Sequence, residues 1–118
     1  MNRECFKYLL ILIFLILSES LSGQWRDYQF TKLGPEEGLQ TTINKFTQDS
    51  VGYIYCAADQ GLIRYDGHNF EVFAHDPNDS SSIGAGEVIE IYLDDTGMIW
   101  LGTKVSGLNR FDPTSWSP

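Results

Sequence analysis

The feature that most constrains the fold of this chain is an internal repeat with a spacing of about 45 residues. The first half of the repeat recurs 45 residues later. Its members are Asp49, Gly52 and Tyr55, then Asp94, Gly97 and Trp100. The second half recurs 46 residues later, as Gly61, Leu62, Arg64 and Asp66, then Gly107, Leu108, Arg110 and Asp112. Self-similarity at this period indicates that one supersecondary unit is copied along the chain.

Each copy has the pattern of short strands separated by turns. The strands predicted for the first copy are 43–48, 53–57, 62–65 and 69–75, and those for the second are 88–93, 98–102 and 108–111. An Asp-x-x-Gly turn joins the first two strands of each copy, where the aspartate can accept backbone N–H bonds and the glycine can adopt a positive φ. Asp66-Gly67 is typical of a hairpin turn. Each copy is therefore predicted to form an antiparallel sheet.

Four antiparallel strands in about 45 residues is the size of one β-propeller blade. The predicted fold is all-β, a partial β-propeller of about one and a half four-stranded antiparallel blades after a helical signal peptide. We assign residues 24–42 to an N-terminal strand and lead-in, 43–87 to blade 1 and 88–118 to a partial blade 2. Closed propellers have about 4 to 8 blades, so a truncated chain is the favoured expectation. Open sheet faces that find partners in other chains are the alternative, and a small β-sandwich or barrel is the alternative architecture.

Propeller blades pack face to face, so apolar side chains of the middle strands should fill the space between them. The residues expected there are Tyr55, Trp100, Ile54, Ile99, Leu62 and Leu108. A further β-prone run, Trp25 to Leu33, precedes the first copy. In a closed ring such a strand would complete the last blade.

The first 23 residues have the layout of a secretory signal peptide. Arg3 and Lys7 precede an apolar run, Tyr8 to Leu17, and small or polar residues follow up to Gly23. The run covers ten residues, whereas a membrane-spanning helix needs about 20. Cleavage near Gly23 and an exported, periplasmic or secreted location are therefore predicted, with no membrane span left in the chain. An uncleaved anchor or a buried helix is the alternative.

The acidic balance of the chain excludes some classes of partner. The net charge is −8, which offers no electrostatic attraction for nucleic acid or an anionic membrane. Cys56 is the one cysteine that remains after the predicted cleavage. A disulfide scaffold is thus excluded, and Cys56 is expected to be a small buried apolar group.

The repeated motifs resemble the two-component regulator propeller repeat family. The resemblance begins at Gly34-Pro35-Glu36-Glu37-Gly38-Leu39 and is closest in the second copy, where Asp94-x-x-Gly97-x-Ile99-Trp100-Leu101-Gly102-Thr103 precedes Gly107-Leu108-Asn109-Arg110-Phe111-Asp112. The first copy departs from the pattern, because Tyr55 replaces the usual Trp and Cys56-Ala57-Ala58 follows it.

The resemblance implies an extracytoplasmic, ligand-sensing segment of a histidine kinase-type signalling protein. Its partners would be further propeller blades of a longer parent chain and a carbohydrate-type ligand of the full array. The parent would carry a histidine kinase or a diguanylate cyclase, whereas this segment is expected to be non-catalytic. Two other interpretations stay open, the N-terminal part of a secreted propeller enzyme of the lyase or quinoprotein type, and a protein-interaction scaffold.

The aspartates are the most numerous candidates for chemistry, but their repetition at fixed positions favours a structural role. Asp49, Asp66, Asp94 and Asp112 are expected to cap turns. Asp94-Asp95 is a poor acid–base pair, because adjacent residues point in different directions at a strand end. We predict no catalytic residue, no metal site and no cofactor.

Other polar and aromatic residues are candidates for ligand contacts. Asp76 to Ser82 is expected to be a solvated connector rather than a calcium loop, and His68 and His75 to face solvent. Arg64 and Arg110 are expected to pair with the repeated aspartates, with a ligand-facing surface as the alternative. The aromatic candidates for stacking on a sugar are Tyr53, Tyr92 and Trp116.

Overall fold

The computed structural model describes residues 2–18, 23 and 27–115, which form two units, Met1–Thr31 and Lys32–Pro118. The first unit contains one helix, α1 (Arg3–Ser18), whose apolar side chains from Phe6 to Leu17 are all exposed. Among the described residues, no helix combines the length and the apolar character needed to cross a membrane. The predicted cleavage near Gly23 stays a prediction.

The second unit contains a one-turn 3-10 helix (Pro35–Glu37) and two antiparallel sheets. The strands of the first sheet are β1 (Ile43–Gln48), β2 (Ile54–Ala58), β3 (Gly61–Tyr65) and β4 (Phe70–Phe73). Those of the second sheet are β5 (Val88–Leu93), β6 (Ile99–Thr103) and β7 (Leu108–Phe111). Each strand pairs with the next one along the chain. The predicted all-β class is confirmed, and the two meandering sheets have the arrangement of a partial propeller-like fold.

The two sheets are copies of one another in strand register as well as in sequence. Phe46 lies opposite Cys56 in the first sheet, and Ile91, which is 45 residues after Phe46, lies opposite Leu101 in the second. The first strand of each sheet also has a register shift at the same place, between Ile43 and Lys45 and between Val88 and Glu90. The repeat therefore specifies the irregular features of the sheets along with the regular ones.

The main core lies between the two sheets. This inter-sheet core consists of Tyr55, Ala57, Leu62, Val88, Ile91, Ile99 and Leu101. Side chains alternate between the two faces of a strand, so every second residue of β2 and β6 points into it. At about 25 cal/mol per Å² of apolar surface, each large side chain buried here contributes roughly 1.5–3 kcal/mol.

Three of the six residues predicted to lie between blades do not belong to this core. Ile54 packs on the opposite face of the first sheet, in a back cluster formed by Cys56, Ala58 and Ile63 with Leu39, Ile43, Ile54 and Phe70. Leu108 is 69% exposed and Trp100 is half-buried. Both lie on the free face of the second sheet. Trp100 alternates along β6 with Ile99 and Leu101, which point into the core, and Leu108 lies opposite Gly102, which follows Leu101. We define this free face as Glu90, Tyr92, Trp100, Leu108 and Arg110.

The predicted strand ahead of the repeat is not formed in its described part. Residues 27–33 contain no strand, and Tyr28 and Phe30 are 79% and 93% exposed. Trp25, at the beginning of the predicted strand, lies outside the described residues. A β-prone run needs a sheet edge with which to pair, and residues 27–33 have no ladder partner in the described part of the chain.

Candidate functional site

The Asp-x-x-Gly turns use their carboxylates to bind backbone N–H groups. The Oδ1 atom of Asp49 accepts bonds from the N–H groups of Val51, Gly52 and Tyr53, at 3.0, 2.8 and 2.9 Å. The Oδ1 atom of Asp94 accepts bonds from the N–H groups of Thr96 and Met98 and from the Thr96 hydroxyl, at 2.9, 3.0 and 2.6 Å. Each carboxylate therefore stabilises its own turn.

The same aspartates also hold the repeated aromatic residues. Nε1 of Trp100 donates a hydrogen bond to Oδ2 of Asp94 at 2.9 Å. In the first sheet, the Tyr55 hydroxyl interacts with the side chains of Asp49 and Arg64. The Thr96 hydroxyl, followed by the Trp100 indole, lowers the pKa of Asp94 to about 2. Burial is the main reason why the pKa of Tyr55 is raised. An aspartate and an anchored aromatic side chain thus form a structural pair in each sheet.

The two aspartates at strand ends cap turns as well. Oδ1 of Asp66 accepts bonds from the N–H groups of Asn69 and His68, at 2.7 and 2.8 Å, and these bonds lower the pKa of Asp66. Oδ1 of Asp112 accepts bonds from the hydroxyl and the N–H group of Thr114, at 2.7 and 2.9 Å. These bonds are the largest causes that lower the pKa of Asp112. All four repeated aspartates therefore bind turn residues.

The contacts of the repeated arginines include a glutamate and two aromatic rings, and their predicted pairing with the repeated aspartates stays a prediction. Arg64 forms its ion pair with Glu71, on the neighbouring strand β4, at 2.7 Å. Its guanidinium also lies over the Tyr53 ring, 4.9 Å from the centroid. Arg110 lies 5.9 Å from the centroid of the Trp100 ring. Sequence reasoning missed Glu71 because cross-strand pairing, which sets Arg64 opposite Glu71, had not been assigned.

A cavity of about 360 Å³ lies between the outer strands of the two sheets and the connector at 76–83. The residues that characterise its lining are Leu62, Phe73, Asp76, Ser82, Asn109 and Phe111. Oδ1 of Asn109 accepts a bond from the Gly84 N–H at 3.0 Å, while Nδ2 of Asn109 is buried without a hydrogen-bond partner. The amide nitrogen of Asn109, which carries two N–H groups, is therefore available as a donor at the cavity.

The aspartate carboxylates at this cavity accept hydrogen bonds from residues of their own turns. Oδ1 of Asp76 accepts a bond from the Asn78 N–H at 2.9 Å. Oδ1 of Asp79 accepts bonds from the N–H and hydroxyl of Ser81, at 2.9 and 2.6 Å. Within residues 2–18, 23 and 27–115, no group of three or more His, Cys, Asp or Glu side chains could hold a metal ion. The connector at 76–82 forms hydrogen bonds within itself, and its residues 76–81 are exposed.

Polar side chains also link the two sheets at their first strands. Nζ of Lys45 on β1 forms an ion pair with Oε2 of Glu90 on β5. Nδ2 of Asn44 donates a bond to the Val88 carbonyl at 2.8 Å. The sequence held a signal for the ion pair, because Lys45 and Glu90 are 45 residues apart and have opposite charges. The signal is a pair of complementary charges at one repeat position, which a match of identical residues does not reveal.

The remaining candidate residues, a cysteine, two histidines and three aromatic residues, differ in how exposed they are. Cys56 is buried, as predicted, and burial raises the pKa of its thiol. His68 and His75 are exposed, and Nδ1 of His75 lies 2.8 Å from the Ile83 carbonyl oxygen. Tyr53 is half-buried beneath Arg64, so it is not the open stacking surface that the sequence suggested. Tyr92 is 63% exposed on the free face. Trp116 lies outside the described residues.

Comparisons with known proteins point to two-component signalling. No family model matches the chain. The chain is 34% identical over 74 residues to histidine kinase P4 of Formosa agariphila, an alignment that covers 62% of this chain and 5% of that protein. Its fold is similar to the extracellular domain of a hybrid two-component system protein from B. thetaiotaomicron, with a TM-score of 0.54 and 26% identity, over 59% of this chain and 10% of that one. The chain thus spans only a small part of the length of each of these proteins.

Proposed function

We propose that this chain is an exported, non-catalytic propeller segment of a two-component signalling protein of the histidine kinase type, and that it contributes to ligand sensing. The observation that carries the proposal is the joint similarity to a histidine kinase in sequence and to the extracellular domain of a hybrid two-component system in fold. The internal repeat and the paired sheets support a repeat array as the form of that domain.

The chemistry of the polar residues supports a non-catalytic role. The four repeated carboxylates bind turn N–H groups, and the pKa values of Asp66, Asp94 and Asp112 are lowered. A general acid at neutral pH needs a raised carboxyl pKa. These aspartates are therefore suited to holding the blades in shape, and the array as a whole would present the ligand surface.

Export would depend on the N-terminal segment that includes α1. We expect the mature protein to lack residues 1–23 and to reside in the periplasm or outside the cell, without a membrane span of its own. Its partners would be further blades of the same repeat, which would cover the free face of the second sheet. A carbohydrate-type ligand is proposed for the complete array.

Export is tested with a fusion of this chain to alkaline phosphatase, which is active only outside the cytoplasm. The native chain should give an active fusion, and intact mass should show a start near residue 24. Leu12→Arg combined with Phe14→Arg should abolish activity, because charges interrupt the apolar run. Glu4→Gln, outside the run, serves as the control and should leave activity unchanged. An inactive native fusion would contradict export.

Sensing is tested in the host that encodes the chain. Deletion of residues 43–111 from the chromosomal copy should abolish ligand-dependent transcription, measured by RNA sequencing during growth on a panel of carbohydrates. By calorimetry, the chain alone should bind no carbohydrate fragment with micromolar affinity, because a single pair of sheets offers only part of the array's surface. An unchanged transcriptional response would contradict the sensory role.

A further inference from the structure

The turn after the third strand begins in the same way in both sheets. Oδ1 of Asp66 accepts two backbone N–H bonds from its turn, and the chain then enters β4 at Phe70. Asp112 stands 46 residues after Asp66, and its Oδ1 accepts bonds from the N–H group and the hydroxyl of Thr114. The residue that stands 46 positions after Phe70 is Trp116, which directly follows the described part of the second turn.

Phe70 shows what an aromatic side chain does at this repeat position. It lies opposite Tyr65 in the ladder and stacks on it, with the ring centroids 4.5 Å apart. Phe70 also packs on the back cluster and approaches the lead-in, since a Cβ added at Gly38 would lie 3.8 Å from its Cδ2 atom. Phe111 stands at the position of Tyr65, so an aromatic side chain at position 116 would have a ring on which to stack.

The cavity of about 360 Å³ lies where such a side chain would project. Phe111 packs on the inter-sheet core, with its ring centroid 5.0 Å from that of Phe73, and both rings line the cavity. The connector closes another side with Ile83, which packs on the inter-sheet core as Leu39 of the lead-in packs on the back cluster. The cavity therefore has the place beside the second sheet that Phe70 fills beside the first.

The polar groups of the cavity wall suit an indole. A buried indole N–H needs a hydrogen-bond acceptor. The wall provides carboxylate and hydroxyl oxygens on Asp76, Asp79 and Ser82. Nδ2 of Asn109 is buried without a partner at the same wall, and a strand beside β7 would bring backbone carbonyl groups to it.

We propose that Trp116 fills this cavity, with its indole stacked on Phe111, as the first residue of a fourth strand that pairs with β7. In this position Trp116 is a core residue of the second sheet, and its ring is closed to a sugar. Among the three aromatic candidates for sugar stacking, Tyr92, which is 63% exposed, is then the open one.

The first test is acrylamide quenching of fluorescence in the full chain, with Trp25→Phe and Trp100→Phe so that Trp116 is the one tryptophan left. The quenching constant should be about threefold lower in the folded chain than in urea, because the cavity shields the indole. Phe111→Leu should raise the folded-state constant, because it removes the stacking ring and keeps an apolar side chain. Phe46→Leu is the matched control and should leave it unchanged, since Phe46 is 72% exposed on the other side of the first sheet. Circular dichroism establishes that each variant is folded.

The decisive measurement uses the chain without substitutions. In an isotope-labelled sample, nuclear Overhauser contacts should join the indole protons of Trp116 to the ring protons of Phe111 and Phe73. Contacts to Leu108 or Arg110 instead would overturn the proposal, because they would place the indole on the free face. Quenching of Trp116 that is as strong in the folded chain as in urea would also overturn it, and Trp116 would return to the candidates for sugar stacking.

Discussion

The two sheets carry the same repeat, but equivalent residues in them experience different surroundings. Leu62 is 0% exposed and Leu108 is 69% exposed, although both follow the same glycine and face the same way relative to their sheets. Tyr55 is 0% exposed, whereas Trp100 at its position is half-buried. The repeat therefore determines which way a side chain points, and the next sheet determines whether that side chain is buried.

A second contrast concerns the glycine that opens the third strand of each sheet. Gly61 has a φ of 134°, and an added Cβ would lie 2.3 Å from the Phe73 carbonyl oxygen of β4. Gly107 has a φ of 68°, and an added Cβ would meet nothing within 4 Å. The fourth strand is what crowds Gly61, so this glycine is required by packing as well as by backbone conformation.

The largest difference is expected between the two leucines. Leu62→Ala should lower the free energy of unfolding by about 2–5 kcal/mol, because it leaves a cavity in the inter-sheet core. Leu108→Ala should change it by about 0.5 kcal/mol or less. Urea unfolding followed by fluorescence, at concentrations where the chain is monomeric, measures both. Equal losses would mean that the free face is already covered.

The second largest difference in stability is expected between alanine substitutions of the two glycines. Gly61→Ala is expected to cost roughly 3 kcal/mol, from overpacking of about 1–3 kcal/mol and a left-handed backbone cost of about 1–2 kcal/mol. Gly107→Ala should cost only the backbone part, about 1–2 kcal/mol. Thermal unfolding of the two variants under identical conditions provides the comparison. A Gly107 variant as unstable as the Gly61 variant would show that β7 is also crowded on its outer side.

Removing the polar tip of the two aromatic residues should have a smaller effect. Tyr55→Phe is expected to cost about 1–2 kcal/mol, because it removes a buried hydroxyl that interacts with charged side chains. Trp100→Phe should cost about 1 kcal/mol, since its bond to Asp94 is nearer to solvent. Urea midpoints of both variants measure the difference. The opposite ranking would argue that Trp100 is the more deeply packed residue in solution.

The smallest expected effect is the pH dependence of stability that Asp94 contributes in the second sheet. The folded-state pKa of Asp94 is about 2, below its ordinary value of 3.8. Its stabilising contribution is therefore complete above about pH 4 and is lost as the pH falls through about 2. Asp94→Asn should flatten this part of the stability curve, measured by urea unfolding between pH 2 and pH 6. Thr96→Ala should flatten it partly, because the Thr96 hydroxyl is the largest cause of the shift. An unchanged stability curve in both variants would mean that other titrating groups cause the loss of stability in acid.

Much of the fold could be predicted from the sequence, because the repeat is expressed in local patterns. The predicted strands lie within about one residue of most observed ones, and the predicted strand at 69–75 shortens to β4, Phe70–Phe73. The turn-capping aspartates could be located because an Asp-x-x-Gly turn is a local structure. Less of the candidate site could be predicted from the sequence. Glu71 as the partner of Arg64, the cavity beside Asn109 and the pair of Lys45 with Glu90 all depend on register or on the packing of one sheet against another.

The repeated unit, its strands, its turns and the alternation of its side chains follow from the amino-acid sequence alone, because all of these depend on neighbours close along the chain. Which face of each sheet is covered depends on how the two sheets pack against each other. Burial depends on contact between two sheets. Leu62 and Leu108 therefore occupy the same position in the repeat but differ in how far they are buried. The same reason explains why Ile54 belongs to the back cluster and Ile99 to the inter-sheet core, although they share one repeat position.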